Sequence, residues 1–173
     1  MPKEKEKVLP HAVLIFLIRG KEVLLARKMF HIGAGCWNGY GGGIENGETP
    51  ILAAKRELEE ESGVRVRLGD LELAAEIDFH NHPLGQKPFV CRVSVFLAHQ
   101  WQGEPKETPE MMTPTWFPIS ELPLENLMLA DPHWLPQVLA GEKILVEAWY
   151  GPRQKTLLRP VEICQIMDAD VSA

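Results

Sequence analysis

The chain has 173 residues, 45% of them hydrophobic and 24% charged, with Gly and Pro at 14 each. That composition excludes disordered, collagenous and coiled-coil classes, and predicts one folded domain over residues 1–173 with room for a full core. The formal net charge is -6 and basic residues cluster only as scattered lysines at the start, which argues against a sequence-independent grip on a nucleic-acid polymer.

Lys3, Lys5 and Lys7 followed by the apolar run Ala12 to Ile18 imitate a secretory leader. The run is short, no small-residue cleavage site follows, and Arg19-Gly20-Lys21-Glu22 leads into a second apolar run, Val23 to Ala26. Two strands joined by a Gly-containing turn explain the same residues. A loop with Gly33 and Gly35 comes next, then Trp37-Asn38-Gly39-Tyr40-Gly41-Gly42-Gly43. The flanking aromatics make this an ordered backbone that turns tightly or approaches a ligand.

Thr49-Pro50 is a helix start of the N-cap and N1 type, and Gly63 suits a left-handed C-terminal cap, so a helix is predicted from about Pro50 to Ser62. Beyond it, Val64 to Val66, Leu71 to Phe79, Phe89 to Ala98 and the shorter Thr115 to Ile119 have strand content. Asp131 to Leu139 is a second helix candidate despite Pro136, and Ile144 to Tyr150 and Leu157 to Ile163 are read as closing strands. Strands with two covering helices make a mixed α/β sandwich. Cys36, Cys91 and Cys164 are odd in number and lack any C-x-x-C spacing. They are read as reduced thiols of a cytoplasmic, membrane-free protein.

On the first helix, Glu57, Glu60 and Glu61 project together while Ile51, Ala54 and Leu58 form an apolar stripe. Glu57 and Glu61 are like charges at i, i+4 near the end where the helix dipole disfavours anions. Arg56 relieves Glu60 but cannot serve all three. An acidic face of this kind is ordinarily solvated; the competing reading is a hard divalent cation held through oxygen, bridging carboxylates and phosphates.

Gly42, five residues, Glu48, seven residues, then Arg56-Glu57-Leu58-x-Glu60-Glu61-x-Gly63-Val64 resembles the Nudix box at every fixed position. The resemblance implies an α/β/α sandwich of mixed sheets with flanking helices, and a pyrophosphohydrolase in which water attacks a phosphorus of a nucleotide anhydride. It implies that Glu57, Glu60 and Glu61 hold Mg2+, with Mn2+ able to substitute, that the Gly41 carbonyl adds a ligand, and that Arg56 and Glu48 orient the carboxylates. Arg56, Glu61 and Glu110 are the catalytic candidates by this analogy.

Outside the box the chain is similar to Nudix enzymes that hydrolyse oxidised purine nucleoside triphosphates of the 8-oxo-dGTP kind to monophosphate and pyrophosphate, in nucleotide-pool sanitation allied to DNA repair. Gly33-Ala34-Gly35-Cys36-Trp37-Asn38-Gly39, Pro109-Glu110-Met111, Trp116-Phe117 and Asp131-x-x-Trp134 carry this likeness. It implies that Lys28 lines the pocket, Asn38 reads the base edge, Glu110 serves metal or water, and Asp131 is a base-reading acid. The plainer roles are a turn residue for Asn38 and an N-cap for Asp131. The chain departs from that branch at Ala130, where a second acid is expected, and at Met128 and Ile32, where aromatics are expected. Another nucleoside diphosphate derivative as substrate, or a nucleotide-binding module without catalysis, are the alternative readings. Trp37, Trp101, Trp116 and Trp149 are read as packing, and His31, His80 and His82 lack ligand spacing.

Overall fold

The computed structural model describes residues 4–166. Nine strands and two α-helices follow one another as β1 (His11–Arg19), β2 (Glu22–Lys28), β3 (Trp37–Asn38), β4 (Tyr40–Gly43), α1 (Pro50–Ser62), β5 (Leu71–Asn81), β6 (Phe89–Ala98), β7 (Met111–Pro118), α2 (Asp131–Leu139), β8 (Ile144–Tyr150) and β9 (Glu162–Gln165). The strands join in one mixed network of order β3-β2-β1-β6-β5-β8-β9, with β4 paired to β1 and β7 to β2.

β1 is the pivot. Its first half, Ala12 to Ile15, pairs antiparallel with β4, and its end, Ile18 and Arg19, pairs with β2. Its other edge runs parallel to β6. Side chains alternate across a strand, and here both faces are covered. Val13, Ile15 and Leu17 enter a core with Ala53, Ala54 and Leu58 of α1, while Ala12, Phe16 and Ile18 enter one with Trp134 and Leu135 of α2. A near-continuous apolar run is what a doubly covered strand requires. That run is the leader-like segment, and it forms a strand.

In α1 the Thr49 hydroxyl accepts the Leu52 N–H at 3.4 Å and Gly63, at φ 77°, closes the helix with its N–H on the Glu59 carbonyl. Ala53, Ala54 and Leu58 are fully buried. Small alanines let the helix approach the sheet, and Leu58 contributes about 2 kcal/mol of burial.

Three expectations are corrected. Val64 to Val66 is not a strand, because only Arg65 pairs, in a single bridge to Gln102. The closing strand lies at Glu162–Gln165 and not over Leu157 to Ile163: Leu157 makes one bridge to Tyr150, and Pro160 lacks the N–H a ladder needs. β7 starts four residues before Thr115, its irregular start marked by Thr113 at φ 54° and a register shift on β2. Among the described residues no helix is long and apolar enough to cross a membrane, and all three cysteines are unpaired.

Candidate active site

The acidic side of α1 packs on the glycine run of β4. Glu61 is buried, and its carboxylate accepts the Gly41 N–H at 2.9 Å. Glu57 lies against Gly42, where a Cβ would come within 2.5 Å of its Oε1. At Gly41 a Cβ would run into the Val13 carbonyl. Gly42 is thus required by a carboxylate and Gly41 by the sheet.

Arg56 organises the acids from outside. Its Nε and Nη2 donate to the two Glu48 oxygens at 2.7 and 2.9 Å, its Nη1 donates to Glu57 at 2.9 Å and Glu60 at 3.2 Å, and Nη2 also reaches the Gly43 carbonyl. The hydrogen bonds from Arg56 hold the Glu48 carboxyl down at about 2, and the same contacts raise the guanidinium. Burial pushes Glu57 up against the pull of Arg56. Burial pushes Glu61 up to about 8, with the Gly41 N–H opposing and repulsion from Glu57 and Glu110 adding to it.

Glu57 and Glu60 turn toward Arg56 and Glu61 toward Gly41, so the three expected metal ligands are neighbours without facing one point. Among the described residues no three His, Cys, Asp or Glu side chains form a ready-made ligand cluster. Glu60 remains exposed at 58% of its side chain.

A cavity of about 360 Å³ opens beside this cluster, and Lys28, Asn38, Gly41, Glu61, Glu110 and Asp131 all line it. Its size is that of a small-molecule pocket. Arg56, Glu57 and Glu60 are not among its lining residues. Lys28 enters from the end of β2, its ammonium pKa lowered by burial and raised by Glu61, Cys36 and Glu110. The Glu110 loop is fastened to α1 by Thr108 Oγ1 on the Glu61 carbonyl at 2.9 Å and Lys106 N on Ser62 O at 2.9 Å.

Asn38 does make a turn contact, its Oδ1 accepting the Gly39 N–H at 2.8 Å. A second lone pair and the amide N–H groups remain for a ligand. Asp131 does not cap α2: Ala130 occupies the cap position without a side-chain bond. The Asp131 carboxylate instead accepts the buried Trp134 indole N–H at 3.1 Å. Burial pushes this carboxyl up to about 7 against that hydrogen bond.

The far wall was not foreseen. Gln154 donates to Asn81 at 3.0 Å, and buried Glu6 accepts the Arg153 N–H; Glu6, Asn81 and Gln154 all line the cavity. These contacts span more than seventy residues, and no local pattern announces them. Trp37 packs edge-on against Phe117, Trp101 stacks on Trp116, and Trp149 lies between His80 and Arg159, all as packing.

The NUDIX domain family profile matches residues 8–138. The chain belongs to the Nudix family. This Nudix chain is 37% identical over 132 residues to the oxidized purine nucleoside triphosphate hydrolase of Danio rerio, covering 76% of the chain and 81% of that relative. Against the protein of the same description from Mus musculus it is 37% identical over 130 residues, 75% of the chain and 80% of the relative. A crystal structure of a mutator MutT protein from Bacillus halodurans superposes with a TM-score of 0.74 at 25% identity, over 90% of this chain and 97% of that one. The Nudix chain therefore has the expected α/β fold and belongs to a family of pyrophosphohydrolases that act on small nucleotide-type substrates and typically use a divalent metal.

Proposed function

We propose that this single-domain Nudix chain hydrolyses an oxidised purine nucleoside triphosphate to its monophosphate and pyrophosphate, as a cytoplasmic enzyme of nucleotide-pool sanitation. One observation carries the reading: Gly42 and Glu61 of the box, with Gly41 beside them, share a cavity with Lys28, Asn38 and Asp131. Phosphate-end and base-end residues thus meet in one space.

The donor set fits a hard divalent cation, Mg2+ or Mn2+. Glu57, Glu60, Glu61 and the Gly41 carbonyl offer oxygen alone, and the mutual repulsion of Glu61 with Glu57 and Glu110 is what a bound cation relieves. When bound, the metal supplies charge neutralisation to the anhydride phosphates and lowers the pKa of water. Arg56 and Glu48 hold Glu57 in place, Glu61 or Glu110 accepts a proton from the attacking water, and Lys28 faces the leaving phosphates. Asn38 and Asp131 read the base edge by hydrogen bonding, since amide and carboxyl groups pair in two-point fashion.

A panel of oxidised and ordinary purine triphosphates, a nucleotide sugar and a dinucleotide, each with magnesium, tests the reading. Oxidised guanine or adenine triphosphates should give the highest kcat/KM. Turnover no faster than ordinary nucleotides would sink the sanitation reading. The substitution of a second acid by buried Ala130 favours, as second reading, a different nucleoside diphosphate derivative, which the same panel reveals. Binding without release of phosphate or pyrophosphate would instead identify a non-catalytic module.

A further inference from the structure

Among the described phenylalanines, tryptophans and tyrosines, Phe30 alone is exposed, at 52%, and it lines the mouth of the cavity just described. The other described aromatic rings are buried or partly buried. A single exposed apolar residue is ordinary on a protein surface; what sets Phe30 apart is that its ring stands on the wall of the cavity.

The loop that carries it is built, not slack. Lys28 N donates to Cys36 O at 2.9 Å, Gly35 N to Lys28 O at 2.7 Å, Ala34 N to His31 O at 3.2 Å and Cys36 N to Gly33 O at 2.9 Å. His31, next to Phe30, sits at φ 62°, a left-handed conformation costly for a residue with a Cβ and tolerated where surroundings enforce it. On one side Met29 N donates to the Glu110 carbonyl at 3.0 Å. On the other, Gly33 packs on Met128, whose sulfur would lie 2.8 Å from an added Cβ, and Met128 O accepts the Asp131 N–H at 3.0 Å. Phe30 is therefore held between the Glu110 segment and the segment of Asp131.

We propose that Phe30 is the base-stacking residue of this site, covering one face of a bound purine whose edge is read from within the cavity. This rests on the function proposed above. Asn38 and Asp131 contribute hydrogen bonds in the plane of a base, and in-plane readers leave its π-face to be covered. Ile32 and Met128, also on the cavity wall, are not aromatic. Of the aromatic residues that line the cavity, Trp134 and Tyr150 are buried, Phe79 and Phe89 are partly buried and Phe30 is exposed, so Phe30 offers the most accessible ring, and a neutral ring stacks on any purine without adding charge to an already acidic pocket.

The test compares wild type with Phe30→Ala and Phe30→Trp, with kcat and KM measured for oxidised and ordinary purine triphosphates and for ribose 5-triphosphate, which has no base. Equilibrium binding of purine monophosphate and ribose 5-phosphate is measured alongside, so that stacking is read even for a protein that turns none of the triphosphates over. Phe30→Ala should raise purine KM, or purine monophosphate Kd, roughly 5- to 100-fold, the range of single base–aromatic stacks. kcat should stay within about twofold, and the base-free ligands should be unaffected. Phe30→Trp should restore purine affinity, with tryptophan fluorescence quenched by the purine. Purine KM and Kd changed less than about twofold in Phe30→Ala, or an equal loss for base-free ligands, overturns the proposal, and a melting temperature equal to wild type shows that the variant is folded. Failure of sanitation activity with purine-dependent Kd intact would refute the substrate assignment and leave the stack standing.

Discussion

Arg56 grips Glu48 at two points, Nε to Oε2 at 2.7 Å and Nη2 to Oε1 at 2.9 Å, while its remaining nitrogen reaches Glu57. The residue that neutralises the acidic face is itself locked in orientation by a carboxylate eight positions earlier. Glu57 is thereby aimed without being consumed by a fully matched ion pair.

Replacing Arg56 by Lys should lower kcat about 10- to 100-fold, the usual cost of losing a partner that orients a metal ligand. A lysine ammonium is a point charge and cannot hold two carboxylates in a planar fork. Steady-state kinetics across a magnesium titration provide the check. A variant with wild-type kcat at every magnesium concentration would show that charge alone, without the fork, suffices.

The helix was legible because local chemistry determined it: Thr49, Pro50 and Gly63 bounded it at the observed residues, and 3.6-residue periodicity placed Glu57 and Glu61 together. What those acids face was not legible. Glu61 is buried with its carboxylate on the Gly41 N–H, a fact of tertiary packing. Likewise Gln154 reaches the cavity wall through a turn in which Arg153 and Gln154 stand at φ 53° and 54°, a conformation no propensity predicts. Local strand content at Val64 to Val66 failed because no long partner strand runs beside it.

Chelation should abolish turnover, and magnesium or manganese should restore it. Glu57→Gln and Glu61→Gln should each reduce kcat by orders of magnitude, since the amide retains the shape and removes the charge. The metal-free variants should melt no lower than metal-free wild type, because both carboxylates are raised by burial and the amides escape that penalty. Full activity in chelated buffer, or in both variants, returns α1 to an ordinary acidic surface.

Two adjacent glycines should behave differently. Gly41→Ala drives a Cβ into the Val13 carbonyl of the paired strand, and overpacking against backbone costs about 1–3 kcal/mol or more. Gly42→Ala meets only the Glu57 carboxylate, the end of a flexible side chain. Denaturant unfolding should show a large loss for Gly41→Ala and a small one for Gly42→Ala, while kcat collapses in the latter. Equal stability losses would mean that Glu57 is as immovable as the sheet.

Asp131 sets a pH dependence. Its folded carboxyl titrates near 7 because of burial, above the usual carboxylate value, so the folded state holds a proton that the unfolded state releases between about 4 and 7. Its contribution to stability is therefore greatest in acid and declines as pH rises toward 7. Asp131→Asn mimics the protonated group at all pH values. The melting-temperature difference, variant minus wild type, should grow from pH 5 to pH 8; a flat difference would mean that Asp131 stays ionised.

Asn38→Ala separates selection from chemistry. Asn38 lines the cavity but lies off α1, and its Oδ1 is already shared with the Gly39 N–H. Part of any effect must accordingly be structural. A lost turn contact loosens the loop for every substrate alike, whereas a lost base-edge pairing costs about 1–3 kcal/mol only where the base offers a matching edge. Specificity constants for an oxidised guanine, an oxidised adenine and an ordinary purine triphosphate, taken in both proteins, resolve the two contributions. The expected signature is a base-dependent fall of up to about 100-fold superimposed on a smaller uniform one. If all three substrates lose the same factor, Asn38 supports the loop and the reading of the base passes to Asp131.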